Sequence, residues 1–82
     1  MDKTNFSKSD QELLTNLEGE GWSFKLTAMI PMEMRQPFYE YTPIKEYKLH
    51  TKSPNKVQET LTGLSLHSIM SQLQWYITWG EH

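Results

Sequence analysis

The sequence has no cysteine. Disulfides and thiolate metal sites are therefore excluded, and with them two of the usual supports of a small domain. Freedom from cysteine is compatible with a reducing compartment, and a cytoplasmic location is the expectation. Long hydrophobic runs are missing as well. No stretch approaches the roughly 18 apolar residues of a membrane helix, so no membrane partner is expected. The opening, from Met1 to Gln11, lacks the apolar core of a secretory signal. The chain is expected to be a complete protein starting at Met1.

Glycine is scarce, with four residues, and proline, also four, is no more than average. The glycines stand at the ends of helix-like segments or beside the last tryptophan, and none builds a phosphate-cradling loop or a G-x-S-x-G elbow. The three histidines, His50, His67 and His82, offer no pair at the i, i+4 spacing of a helical zinc site. No metal and no cofactor is expected. A single thin core also leaves little depth for a pocket. The chain is therefore read as a non-enzyme.

Charge is unevenly placed. Formal net charge is -2 over 82 residues, too close to neutral for bulk electrostatics to choose a partner. Lys8 apart, residues 8 to 20 carry Asp10, Glu12, Glu18 and Glu20, whereas residues 45 to 56 carry Lys45, Lys48, Lys52 and Lys56 against Glu46 alone. From Thr60 to Gly80 there is no charged residue, although such residues make up 22% of the chain.

What is present in that uncharged stretch organises the rest. Leu66, Ile69, Met70, Leu73, Tyr76 and Ile77 recur as one face of an α-helix, a sector about 120° wide. Ser65 can cap it. Trp75 and Trp79, four residues apart, are helix neighbours pointing away from that stripe, in company with Ser68, Ser71 and Gln72.

Earlier segments yield a helix and strands. Residues 1–8 are polar apart from Phe6 and are expected to be flexible. Ser9 followed by Glu12 has the spacing of a capping box and predicts a helix from Asp10 to about Leu17 or Glu18, burying Leu13, Leu14 and Leu17. Gly19 and Gly21 stop it. From Trp22 to Ile30 the residues alternate with period two, predicting a strand. Pro31 to Pro37 reads as a connection, Phe38 to Thr42 as a second strand interrupted by Pro43, and Ile44 to Thr51 as its continuation or a third. Ser53-Pro54 has the form of an N-cap and first helical residue, predicting a short helix with Val57 and Leu61 inward and Gly63 at its end. A single helix from Pro54 to Trp79 is the alternative. The fold expected is one small α+β domain spanning 1–82: a short N-terminal helix, an antiparallel sheet of two or three strands, and one or two C-terminal helices on the sheet.

Two function classes follow. Trp75 and Trp79 either pack against the leucines of the first helix or meet a partner. Tryptophan, tyrosine and methionine are enriched at interface centres, so the reading is a protein-binding module, a small adaptor, regulator or inhibitor. Its partner is a second copy or a larger protein, and Trp75, Trp79, Gln72 and Ser68 are the site. Met29, Met32 and Met34 add adaptable apolar surface. The alternative is weak nucleic-acid binding through Lys45, Lys48, Lys52, Lys56 and His50, whose simplest competing role is a solvated strand that resists edge pairing.

Overall fold

The computed structural model describes residues 2–29 and 45–82. In chain order the elements are α1 (Lys8–Gly19), β1 (Ser23–Met29), β2 (Glu46–Lys52), β3 (Gln58–Gly63) and α2 (Leu66–Trp79). The strands form one antiparallel meander in the order β1-β2-β3. The strand expected at Phe38–Thr42, the Pro31–Pro37 connection, and Pro43 and Ile44 lie outside the described residues.

Helix α1 begins two residues earlier than the capping-box spacing implies. Its N-cap is Ser7, whose Oγ accepts the Asp10 N–H at 3.3 Å. Just ahead of it, Phe6 is buried in the core and its carbonyl accepts the Gln11 side-chain amide at 2.9 Å. Lys3 bridges to Glu18 at 2.5 Å. At the other end Trp22 N–H donates to Leu17 O (3.0 Å) and Gly21 N–H to Glu18 O (3.1 Å). These paired backward bonds are a Schellman motif, which requires a left-handed residue at Gly21, and its φ is +107°. A β-carbon there would also sit 3.3 Å from Pro54.

Register sorts the sheet into two faces. Phe24 opposes Thr51, Leu26 opposes Leu49, and Leu49 in turn opposes Leu61. Side chains directly opposite one another share a face, so these residues form the covered side. Leu14 and Leu17 from α1, Ile69, Met70, Leu73 and Tyr76 from α2, and Trp22 join them in one core. Both helices lie on this face, giving a two-layer α+β domain. The opposite face carries Ser23, Lys25, Thr27, Met29, Glu46, Lys48, His50, Lys52, Gln58, Thr60 and Thr62.

The short helix expected to start at Pro54 and stop at Gly63 is instead a hairpin turn and strand β3. Ser53 N–H donates to Val57 O (2.9 Å), Lys56 N–H to Ser53 O (2.8 Å), and Val57 N–H to the Ser53 hydroxyl (3.0 Å). The serine that resembles a helix cap thus closes a tight turn, with Lys56 at φ 67°. Gly63 ends a strand rather than a helix, and it lets α2 approach: a β-carbon there would lie 3.0 Å from Ser68 Oγ. Leu64 is exposed. One C-terminal helix follows, capped by Ser65, whose Oγ accepts the Ser68 N–H at 3.1 Å.

Candidate protein-binding face

Helix α2 presents three chemistries around its axis. Ile69, Met70, Leu73 and Tyr76 are buried. Ser68 and Gln72 form a seam against β3: Gln72 Nε2 donates to Thr62 O at 2.6 Å and lies 3.4 Å from Ser68 Oγ. Trp75 and Trp79 face solvent, with 64% and 73% of their surface exposed. The leucines of α1 do not cover them. Leu14 and Leu17 are in the core, and Leu13 lies in the cleft between the helices with Ile77.

Beside Trp75 runs a groove of about 520 Å³, lined by Glu59 and Leu61 of β3 and by Ser71, Gln72, Trp75 and Tyr76 of α2. Glu59 is its one charged side chain. Tyr76 donates its hydroxyl to Glu81 O at 3.2 Å, and burial, with Glu59 nearby adding to it, raises the phenol above the ordinary tyrosine range.

The outer edge of β3 is partly closed. Antiparallel strands direct alternate residues' backbone groups to the same neighbour. The Ser53–Val57 bond, with the Thr51 hydroxyl on Glu59 O at 3.0 Å, therefore turns odd-numbered residues of β3 toward β2 and even-numbered ones outward. Among the outward groups, Thr62 C=O is taken by Gln72 and Thr60 N–H by its neighbour's carboxylate, Glu59 Oε1, at 3.2 Å. Side chains that occupy such groups discourage strand addition. Gln72 and Ser68, expected as contact residues, are thus already engaged inside the chain, while the two tryptophans make no such bond among the described residues.

The basic strip is divided by the fold. Lys48, His50 and Lys52 share one face of β2, opposite the core. Lys45 precedes that strand and Lys56 sits in the hairpin turn. Lys25, absent from the sequence-based set, stands directly across from His50. Its place follows only from the β1–β2 register. His50 lies between Thr27 Oγ1 (3.4 Å) and Thr60 Oγ1 (3.3 Å). His67 is exposed, and His82 packs on Trp22 and Tyr76 with centroids 5.0 and 5.5 Å away. Among the described residues no three metal-ligating side chains converge, and no helix is long and apolar enough to cross a membrane. Met29 is exposed; Met32 and Met34 lie outside the described residues.

No protein-family model, no curated protein and no solved structure matches this chain.

Proposed function

We propose that this protein is a non-enzymatic protein-binding module, an adaptor, regulator or inhibitor, whose anchors are Trp75 and Trp79. The observation that carries this reading is their exposure on a helix without a single charged residue. A tryptophan presents about 150–250 Å² for burial, so two that are two-thirds exposed offer roughly 200–350 Å² of apolar surface. That reaches the scale of the largest patch on a typical monomer, which is often functional. The partly closed edge of β3 favours a partner that meets side chains rather than one that adds a strand.

The partner is a second copy of the chain or a larger protein. A two-fold dimer would set each tryptophan pair against its mate, a contact one patch makes by itself. Sedimentation of wild type and Trp79→Glu over a range of concentrations tests the reading. The expected result is a wild type that associates and a variant that stays folded but does not, weakened about thirtyfold or more, since such anchors contribute at least ~2 kcal/mol. A wild type that is monomeric alone, with Trp79→Glu folded, assigns the surface to a different protein. Two concentration-independent monomers, with Trp79→Glu unfolded, would show the tryptophans to be structural and end the proposal.

A further inference from the structure

We infer that the open face of the sheet is a second binding surface, and that it takes the sugar–phosphate backbone of single-stranded nucleic acid. Cross-strand pairing lays out the face in rows: Ser23, Lys52 and Gln58; Lys25, His50 and Thr60; Thr27, Lys48 and Thr62. Three lysines, a histidine, hydroxyls and one amide fill those rows, and a fourth pair on the same face, Met29 and Glu46, adds one carboxylate. Glu46 stands at the far end of β2 from Lys52, so the lysines outnumber it three to one. The acidic residues Asp10, Glu12 and Glu18 belong to α1, which packs on the other side of the sheet. A chain of net charge -2 thus sets three lysines against one glutamate on this face, and charge complementarity favours an anionic occupant.

Spacing narrows the occupant further. Strand residues rise about 3.3 Å each, so Lys48, His50 and Lys52 stand roughly 6.6 Å apart along β2, a repeat comparable with that of phosphates in an extended single strand. Strands lie about 4.8 Å apart, making the face about 10 Å wide, room for one phosphate row rather than the two of a duplex. Each backbone phosphate spreads its single charge over two non-bridging oxygens, so a lysine and a neighbouring threonine hydroxyl can share it, as both residue types do in backbone contacts. The aromatic residues of the described strands, Phe24 and Tyr47, fall on the covered side of the sheet. The contacts these three strands offer are therefore to phosphate, independent of sequence and sensitive to salt.

Filter binding of a labelled mixed-sequence single-stranded oligonucleotide at about 50 mM salt tests this, with the matching duplex and polyglutamate as parallel ligands. We expect a dissociation constant between about 1 and 100 μM, and a log–log salt slope near -2 for three lysine contacts. Replacing Lys25, Lys48 and Lys52 together with Ala should weaken binding at least tenfold and flatten that slope. Lys45→Ala with Lys56→Ala should change little, and so should Trp79→Glu, which separates this surface from the tryptophan face. Circular dichroism establishes that each variant is folded. No binding at 100 μM, equal loss from the Lys45 and Lys56 pair, or equal affinity for the duplex would overturn the assignment. Tighter binding to polyglutamate would overturn it in favour of an acidic peptide.

Discussion

The two helices start alike and turn alike toward the sheet. Each is capped by a serine, Ser7 or Ser65, and each sends fully buried leucines inward, Leu14 from α1 and Leu73 from α2. Toward solvent they differ. α1 shows Lys8, Glu12 and Thr15, whereas α2 shows Trp75, Trp79 and Thr78. The absence of charge from α2 therefore has a different cause from burial on all sides. The inward stripe of a helix follows from the sheet it covers, but its outward face is free to follow another requirement. On α1 that requirement is met by hydration, and on α2 we assign it to a partner.

The strongest test of the inner equivalence is to remove the buried leucines one at a time. Leu73→Ala and Leu14→Ala should each cost about 2–5 kcal/mol, read from urea unfolding. A much smaller loss for Leu14→Ala would show that α1 is not part of the same cooperative unit. The helix ends come next, because their glycines serve different needs. A β-carbon on Gly80 would run into the Tyr76 ring, so Gly80→Ala should cost about 1–3 kcal/mol. Gly21→Ala forces a left-handed side chain beside Pro54 and should cost roughly 1 kcal/mol or more.

Alkaline pH sharpens the comparison on the α2 side. Burial holds the Tyr76 proton more firmly in the folded state than in the unfolded one. Above the ordinary tyrosine pKa of about 10, the unfolded chain releases that proton first, and stability falls as pH rises through the folded-state value. Below that range the effect vanishes. Tyr76→Phe should lose about 0.5–1.5 kcal/mol at neutral pH with its bond to Glu81 O, and should then show a shallower alkaline decline in thermal melts. The smallest effect is expected from making α2 resemble α1 outside. Trp75→Lys combined with Trp79→Glu should alter monomer stability by no more than about 0.5 kcal/mol in the same unfolding assay, even as it removes association.

Much of this architecture can be read from the sequence wherever one period runs long enough to be unambiguous. Residues Trp22 to Ile30 alternate without a break, and β1 occupies Ser23–Met29. The Leu66-to-Ile77 stripe with Ser65 before it marks α2 almost to the residue. β3 was hidden because its signals are shared. Ser-Pro opens a helix or a turn equally well, and Val57 and Leu61 have helical spacing by coincidence. The alternation of Thr60, Leu61 and Thr62 is only three residues long. The deciding fact is that Ser53 Oγ takes the Val57 N–H while Ser53 N–H reaches Val57 O, and such a closure is invisible before the chain is folded.

The candidate sites divide along the same line. That Trp75 and Trp79 point away from the core stripe follows from helix geometry alone. Whether α1 would lie over them depends on where Leu13, Leu14 and Leu17 dock, which is a tertiary matter. Gln72 has the position of a contact residue, yet its amide spans to Thr62 O. Lys25 belongs with Lys48 and Lys52 only once the register of β1 against β2 is known.

The placement of the three tryptophans also makes the molecule its own optical instrument. Trp22 is 6% exposed and lies against Phe24 and Tyr76, while Trp75 and Trp79 stand in water. Emission from the buried indole belongs at shorter wavelength than emission from the other two. A neutral collisional quencher reaches Trp75 and Trp79 and leaves Trp22 bright. Loss of quenching without a change in the blue component reports coverage of α2, and a red shift of that component reports loss of the core. Occupancy and integrity can thus be followed separately in one unlabelled sample.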